Sequence, residues 1–250
     1  MKISILIPAF NEENHIEQCI VGIENMVSNL GYDYEVIIID DGSTDNTRNV
    51  ALKVTKNPHV RVIGYEQNQG KGYAIKYGLK RAKGDYVVFW DSDWEIEPLE
   101  FKDYITNLEY ADIVIGSKRH PESHIETPFI RKFLSYGFNI LIRLALGIRI
   151  TDTQTGFKAF RREELDKIVD SISVRRFAFD AELLTIAELL KMRIIELPVE
   201  INMSGRIIGI QHIVRILLDM AGIAYRLRIT RWYQKKLKNK SEPYKPIIRI

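Results

Sequence analysis

The chain has 250 residues, 46% of them hydrophobic and 28% charged, a balance typical of one sizeable globular domain, alone or with an appendage. Its single cysteine, Cys19, excludes an internal disulfide and favours a reducing compartment. The formal net charge of +3 conceals an asymmetry, because residues 206–240 carry nine Lys or Arg and one Asp while the remainder is acidic. No apolar run approaches the ~18 residues of a membrane-spanning helix, and no secretory signal pattern follows Met1.

Strand-like and helical patterns alternate through the first half of the chain. The strand-like runs, rich in Ile and Val, are Ile3–Ile7, Glu35–Ile39, Val60–Tyr65, Tyr86–Trp90 and Asp112–Ile115. Helical patterns lie between the earlier runs, at Glu13–Leu30, Thr44–Lys56 and Gly72–Arg81. This alternation predicts an α/β fold with a mostly parallel, doubly wound sheet. Open sheets of this kind bind ligands at the carboxyl ends of their strands.

The second half predicts a less regular order of elements. The expected elements are a largely apolar helix at Phe129–Ile148, a strand at Phe157–Phe160, a helix at Phe179–Leu190 and a strand at Arg193–Leu197. We therefore expect a catalytic domain over residues 1–205, a basic helical segment over 206–240 and a C-terminal tail over 241–250.

The tail Ile207–Leu237 has apolar residues at helical spacing, and basic residues crowd its end beside Trp232 and Tyr233. This pattern predicts one basic amphipathic helix lying on an anionic membrane surface. Packing against the protein's own core or an oligomer interface are the alternatives. Nucleic-acid binding is disfavoured, because aliphatic residues interleave the basic ones.

Three acids follow the apolar run Val87–Trp90 at alternate positions: Asp91, Asp93 and Glu95. In an extended segment this spacing places all three carboxylates on one side of the chain, where they repel one another unless a cation lies among them. Hard oxygen ligands suit Mg²⁺ or Mn²⁺, which usually complete their coordination with substrate phosphates. The spacing predicts a metal–diphosphate site, with a solvated acidic cluster as the alternative.

Other polar groups follow the predicted strands. Asp40 and Asp41 end the second strand, where carboxylates accept hydrogen bonds from a base or a ribose, or else form an Asx-turn. Gly70 and Lys71 form a glycine turn with a lysine suited to a phosphate, although an ordinary turn before a helix has the same pattern. The basic groups Lys118, Arg119 and Arg131, with Ser135 one helical turn after Arg131, suit an anionic group carried by a lipid, or are simply solvated.

Several motifs together resemble the family 2 glycosyltransferases of the GT-A fold. These motifs are IPAFNEE (7–13), IDDGSTD (39–45), NQGKGYA (68–74) and DSD (91–93). The second half, with GSKRH (116–120), DTQTGFKAF (152–160) and RRFAFDAELL (175–184), is similar to polyprenyl-phosphate sugar synthases, especially those that form dolichyl-phosphate glucose. The resemblance covers about residues 1–210.

The resemblance implies roles for individual residues. Pro8, Ala9, Glu12, Asp40, Asp41 and Ser92 would hold the nucleoside, Gly70 and Lys71 the pyrophosphate, and Asp91, Asp93 and Glu95 the ribose and a Mg²⁺ or Mn²⁺ ion. Lys118 or Arg119, with Arg131 and Ser135, would bind the acceptor phosphate, and Arg206 would close over the diphosphate. Asp180 and Glu182 would orient sugar hydroxyls or the acceptor, and Asp91, Asp93 and Asp180 form the expected catalytic set.

The implied activity is inverting transfer of glucose from UDP-glucose to dolichyl or polyprenyl phosphate by a peripheral protein on the cytoplasmic membrane face. Mannose and N-acetylglucosamine remain alternative sugars, and GDP an alternative nucleotide. A processive polysaccharide synthase is disfavoured, because Arg228 stands where the Gln of its Q-x-x-R-W motif is required before Arg231-Trp232. A non-catalytic lipid-phosphate-binding scaffold is disfavoured by the retained acids at 91, 93 and 95.

Overall fold

The computed structural model describes residues 1–126, 137, 139–140, 142–176, 178–202 and 210–241. Of the helix expected over Phe129–Ile148, residues 137, 139–140 and 142–148 are described; the helical ones end at Leu146, two residues before the expected end. The predicted acceptor-site residues Arg131 and Ser135 lie outside the described residues, and so does Arg206.

Nine strands occur within this described part, including all of those predicted. They are β1 Lys2–Ala9, β2 Asp33–Asp41, β3 Val60–Tyr65, β4 Tyr86–Phe89, β5 Ile96–Pro98, β6 Ile113–Ser117, β7 His124–Glu126, β8 Lys158–Arg161 and β9 Ile194–Asn202. The first four long runs and β6 agree closely with expectation, whereas β9 continues well beyond the predicted Leu197. The short β5 and β7 were not predicted, and both pair with this extension of β9.

The α-helices of the described residues lie largely where the apolar periodicity predicts them. They are α1 Ile16–Ser28, α2 Thr47–Val54, α3 Lys71–Leu79, α4 Phe101–Asn107, α5 Arg162–Val169, α6 Phe179–Leu189, α7 Ile210–Ala224 and α8 Trp232–Ser241. Only α4 and α5, which are seven and eight residues long, were not expected from the sequence.

The strands form one sheet in the order β3-β2-β1-β4-β8-β6-β9-β5, with β7 also paired to β9. The β1–β2, β2–β3, β1–β4 and β6–β9 pairs are parallel. In contrast, β8 runs antiparallel to both of its neighbours, β4 and β6. The predicted α/β class with a mostly parallel sheet is therefore confirmed, and β8 is a reversed strand within it.

Two apolar cores cover the two faces of the sheet. Alternate residues of a strand enter different cores: Leu6 packs with α3 and α6 on one face, whereas Ile5 and Ile7 pack with α1 on the other. Burial on both faces explains why the strands are nearly continuous apolar runs in the sequence. It also leaves the carboxyl edge of β1, β2 and β4 as the place where polar groups collect.

The prediction of one continuous helix over Ile207–Leu237 is wrong. Helices α7 and α8 are separated by a π-helical turn, Tyr225–Ile229. Met220, Ile223, Leu227 and Tyr233 are buried in the core on the α6 face of the sheet, so the segment packs on the domain as the alternative interpretation anticipated. Its other side leaves large apolar side chains exposed: Val214, Leu217, Leu218, Tyr225 and Ile229. Across the described residues, no helix is long and apolar enough to cross a membrane.

Candidate active site

The predicted nucleoside residues collect at one edge of the sheet. Ala9, the last residue of β1, lies beside Asp40 in the parallel register, and Asp91 follows β4, the other neighbour of β1. Pro8, Ala9 and Asp40 are buried. Glu12 lies just beyond β1, and its carboxylate is 2.9 Å from Nδ1 of His15. The sheet therefore brings the predicted residues of three strand ends together.

The carboxylate of Asp41 fixes the glycine turn by hydrogen bonds. It accepts hydrogen bonds from the Tyr65 hydroxyl at 2.7 Å, the Asn68 side-chain amide at 2.9 Å, and the backbone N–H groups of Gln69 at 2.8 Å and Gly70 at 2.9 Å. Four donors on one buried carboxylate fix the turn that leads into α3. Asp41 thus shapes the predicted pyrophosphate turn from within the protein.

The close approach that Gly70 permits is to the protein's own backbone. Gly70 has φ +94°, and a Cβ there would lie 2.5 Å from the carbonyl oxygen of Arg175. That same oxygen accepts a hydrogen bond of 2.8 Å from the Gly72 N–H. The turn is therefore held on one side by Asp41 and on the other by the Arg175 carbonyl before α6. Glycine is required at position 70, because its φ is positive and a Cβ would collide with that carbonyl oxygen.

The three acids after β4 lie on a turn, which we call the acidic turn (residues 91–95), and not on an extended segment as the spacing argument assumed. Strand β4 ends at Phe89, residues 92–93 form a turn, and Trp94 has φ +54°. Within the described residues, no three His, Cys, Asp or Glu side chains converge as a metal cluster. The extended geometry on which the co-facial placement depended is therefore wrong, and the metal role of the three carboxylates stays a prediction.

Asp93 lies where a negative charge is unfavourable. Burial, joined by repulsion from Asp91, Glu95 and Glu12, raises the pKa of Asp93 to about 7. A carboxyl in this position is suited to a divalent cation, which would neutralise the repulsion among the neighbouring acids. Mg²⁺ and Mn²⁺ are commonly held by one or two carboxylates together with substrate phosphates. Asp93, with Asp91 beside it, fits such an ion, whereas a cage of three protein carboxylates is not formed.

Lys71 is paired with two carboxylates of the site. Its Nζ lies 2.7 Å from Oδ1 of Asp91 and 3.0 Å from Oδ2 of Asp180. Burial alone would lower the pKa of Lys71, but Asp180 and Asp91 outweigh it and raise that pKa. Lys71 thus reaches the predicted edge of the sheet, and there it neutralises acids of the protein itself.

Asp180 is buried at the start of α6 between two lysines. Its Oδ1 lies 2.8 Å from Nζ of Lys158, and Lys71 occupies the other oxygen. Burial would raise the pKa of Asp180, yet Lys158 and Lys71 together hold it below its usual value. Asp180 is therefore an ionised carboxylate at neutral pH, and it lies in the same cluster as Asp91.

Sequence reasoning missed Lys158 and Gly156. Lys158 is fully buried, and burial lowers its pKa although the charge of Asp180 opposes that shift. A Cβ on Gly156 would lie 1.8 Å from Oδ2 of Asp91, so this glycine makes room for the first acid of the acidic turn. The available signal was a lysine between Phe157 and Ala159 in an otherwise apolar strand, since a charge in such a place requires a buried partner.

Lys118 and Arg119 converge on one carboxylate, that of Asp152. Lys118 Nζ and Arg119 Nη1 each lie 3.9 Å from an oxygen of Asp152, and the Lys118 N–H donates to it at 3.0 Å. Burial would raise the pKa of Asp152, but Lys118, Thr155 and Arg119 keep it lowered. Both basic residues of the predicted acceptor site therefore share one anchor at the carboxyl end of β6.

Glu182 does not face the site, contrary to expectation. It is fully buried; Oε2 accepts hydrogen bonds from the Ser173 N–H at 2.9 Å and the Val174 N–H at 2.6 Å. Oε1 accepts from the Tyr233 hydroxyl and lies 3.4 Å from Nη2 of Arg226. Glu182 therefore joins α6 to the C-terminal helices, and the predicted role in orienting a sugar finds no geometric support.

The arrangement defines a class: an α/β fold with acids, a glycine turn and lysines at the carboxyl edge of its sheet, suited to a phosphorylated nucleotide ligand. Residues 4–169 match the sequence family Glycosyl transferase family 2. The chain belongs to this family and is a glycosyltransferase.

Similar proteins come from three different organisms. Dolichyl-phosphate beta-glucosyltransferase ALG5C of Trichomonas vaginalis is 34% identical over 248 residues, covering 93% of this chain and 73% of that protein. The dolichyl-phosphate beta-glucosyltransferase of Drosophila melanogaster is 37% identical over 80% of this chain and 66% of its own length. The Homo sapiens protein of the same description is 35% identical over 79% of this chain and 66% of its own.

Solved structures of one enzyme share the fold. Glucosyl-3-phosphoglycerate synthase from Mycobacterium tuberculosis, in complex with Mn²⁺, UDP-glucose and phosphoglyceric acid, matches with a TM-score of 0.65 at 23% identity. The match covers 90% of this chain and 78% of that one. The same enzyme with phosphoglyceric acid alone gives a TM-score of 0.68. This likeness confirms the predicted GT-A-type architecture.

Proposed function

We propose that the protein transfers glucose from UDP-glucose to dolichyl phosphate or a related polyprenyl phosphate. The observation that carries this proposal is the extent of the match to dolichyl-phosphate beta-glucosyltransferase ALG5C, which spans 93% of the chain. The fold neighbour that binds UDP-glucose with Mn²⁺ supports the same donor and a divalent metal. The proposal includes Mg²⁺ or Mn²⁺ as cofactor and peripheral attachment at the cytoplasmic membrane face.

The donor would lie along the edge formed by β1, β2 and β4. In this proposal Ala9, Asp40 and Ser92 contact the nucleoside, and the turn fixed by Asp41 places Lys71 near the diphosphate. The divalent ion, held by Asp91 and Asp93, would stabilise the negative charge of the leaving nucleoside diphosphate. The roles of Glu12 and Glu95 toward ribose and metal remain predictions.

The acceptor phosphate is already an anion, so it needs no strong general base. Its oxygen would attack C1 of glucose in line with the departing UDP, forming the C1–O bond while the C1–O bond to UDP breaks and UDP keeps the electron pair. Lys118 and Arg119 would bind the acceptor phosphate at the carboxyl end of β6, with Arg131, Ser135 and Arg206 as predicted further contacts. Such fixed charges lower the barrier because they require no reorganisation during transfer.

The membrane contact would come from the C-terminal helices. Exposed apolar side chains on α7 and the π-helical turn, such as Leu218 and Ile229, occur beside exposed Arg215, Arg228 and Arg231. Apolar groups flanked by basic ones favour an anionic lipid surface, where each cation contributes about 1 kcal/mol. The proposed boundary at residue 206 then separates the region that binds the nucleotide from the region that meets the lipid.

Incubation with a panel of nucleotide sugars and a polyprenyl phosphate, followed by mass spectrometry of the lipid product, tests the proposal. A hexosyl-phosphate lipid formed from UDP-glucose, and lost in EDTA, is the expected result. Asp91→Asn is expected to abolish it, whereas Asp103→Asn on the exposed side of α4 serves as the matched control. Transfer from a mannose or N-acetylglucosamine donor instead would correct the sugar, and activity undiminished by EDTA would refute the metal-assisted mechanism.

A further inference from the structure

Four charged side chains of alternating sign form a row from the acidic turn into the interior. The distances along it are 2.7 Å from Asp91 to Lys71, 3.0 Å from Lys71 to Asp180 and 2.8 Å from Asp180 to Lys158. The exposed fraction of the side chain falls in the same order, from 29% through 16% and 5% to 0%. Asp91 and Lys71 therefore lie at the open end of the row, and Lys158 at the closed end.

Lys158 is held rigidly at that closed end. Its ammonium also donates to the carbonyl oxygen of Thr155, and Thr155 is itself fully buried. The same short segment carries Gly156, which packs against the Asp91 carboxylate. One piece of chain thus contacts the row near both of its ends, and Lys158 is enclosed at the inner end.

Lys71 offers a diphosphate little while it is bound to both of its carboxylates, because they use two of the three donors of its ammonium and balance its charge. To turn toward a phosphate at the edge it must loosen its contact with Asp180. An ionised carboxylate left alone in the interior is strongly unfavourable. Asp180 keeps a counter-ion only because Lys158 remains at its other oxygen.

We propose that Lys158 is a positioning residue for the donor: it stays with Asp180 and thereby releases Lys71 to bind the diphosphate of the nucleotide sugar. The inference rests on the proposed function, since that function supplies the diphosphate. Lys158 itself does not touch the substrate. It acts through the charge of Asp180, and this distinguishes it from a residue that merely fills space in the core.

The charge of the row makes the distinction measurable. In the wild type the two lysines balance the two aspartates. Lys158→Met leaves the row with one surplus negative charge, Asp180→Asn leaves one surplus positive charge, and the double variant restores the balance. A purely structural role for the lysine side chain predicts no recovery in the double variant, because the packing change persists in it.

The test is calorimetric titration of the full chain with UDP in the presence of Mn²⁺, which needs no acceptor and no turnover. Lys158→Met is expected to bind UDP at least tenfold more weakly than wild type, an order of magnitude set by one unbalanced charge near a phosphate. Asp180→Asn should bind UDP as tightly as wild type or more tightly, and the double variant within about threefold of wild type. Lys167→Met, on the exposed face of α5, is the matched control, and circular dichroism monitors folding.

Wild-type affinity in Lys158→Met overturns the proposal, and so does a double variant as weak as Lys158→Met. If Lys158→Met alone fails to fold, the double variant decides: affinity near that of wild type supports the proposal, and a tenfold loss overturns it. A wild-type protein that binds no UDP overturns the proposed donor, and this inference with it. The proposed function and the role of Lys158 are therefore separable in one set of titrations.

Discussion

Replacement of Asp93 by asparagine is expected to remove a pH dependence of stability that this carboxyl imposes. In the folded protein the pKa of Asp93 is raised from 3.8 to about 7, while in the unfolded chain it returns to the ordinary value. Between these values the folded state holds one more proton than the unfolded state. The corresponding stabilisation is complete below about pH 4 and is lost as the pH rises to about 7.

The magnitude follows from the shift. Three pKa units correspond to about 4 kcal/mol, and solvent at the open side of the acidic turn screens part of the repulsion, so we expect about 2 kcal/mol. Asparagine retains the Oδ1 atom that accepts the Glu95 N–H at 3.1 Å. The variant therefore removes the charge and leaves the geometry of the turn.

Urea unfolding in EDTA, followed by circular dichroism, measures the effect. Asp93→Asn should be more stable than wild type by ~2 kcal/mol near pH 8, with a gap of less than half that size near pH 4. Asp103→Asn, an exposed carboxyl on α4, should show no pH-dependent gap. An equal gap at both pH values, or a variant less stable than wild type near pH 8, would refute the reasoning.

Three further substitutions address other parts of the molecule. Tyr233→Phe removes a hydroxyl that donates to buried Glu182, so the free energy of unfolding in urea should fall by about 1–2 kcal/mol. Leu218→Glu places a charge on an exposed apolar side chain of α7, and co-sedimentation with anionic vesicles should decrease while the melting temperature stays near that of wild type. Gly156→Ala directs a methyl group into the acidic turn, and glucosyl transfer should fall by about a hundredfold in kcat as the acid is displaced.

Each of these substitutions has a matched control. Tyr110→Phe alters a tyrosine that is 70% exposed and should change stability by less than about 0.5 kcal/mol. Leu52→Glu alters an exposed leucine of α2 and should leave vesicle binding intact. Gly137→Ala adds a Cβ that meets no described atom within 4 Å and should retain activity. A loss in a control equal to that in its partner would contradict the assigned contact.

The sequence was sufficient for the fold class because strands buried on both faces are continuous apolar runs, as in Ile3–Ile7. It was also sufficient to place Asp40 and Asp91 at one edge, since parallel strands align their carboxyl ends. The sequence did not predict which side chains pair with each other. Nothing near Lys71 or Asp180 in the sequence indicates that these two residues form an ion pair. The same holds for residues 207–237. The helical spacing of their apolar residues does not indicate which of them, such as Met220, are buried in the core.

The acidic turn marks a different kind of failure. The alternation of Asp91, Asp93 and Glu95 was interpreted with extended geometry, and this holds only while the strand continues. Pairing of β4 ends at Phe89, after which the backbone is free to reverse, and Trp94 adopts a positive φ. The alternation of side chains in a strand therefore no longer predicts their direction one or two residues past the last hydrogen bond of the sheet. Polar site residues occur at these positions.

The reversed direction of β8 has a consequence for how this protein is built. Phe89, the last residue of β4, lies opposite Lys158, the first residue of β8, so the loop that enters β8 reaches the same edge as the loops that leave β1, β2 and β4. A strand of the ordinary polarity would send its exit loop to this edge, and the residues before it to the far side of the molecule. The direction of β8 thus decides that the residues before this strand, and not those after it, line the ligand-binding edge. If only the loops that leave β1, β2 and β4 were grafted onto another parallel sheet, the new protein would lack Gly156 and Lys158, which reach this edge at the start of β8.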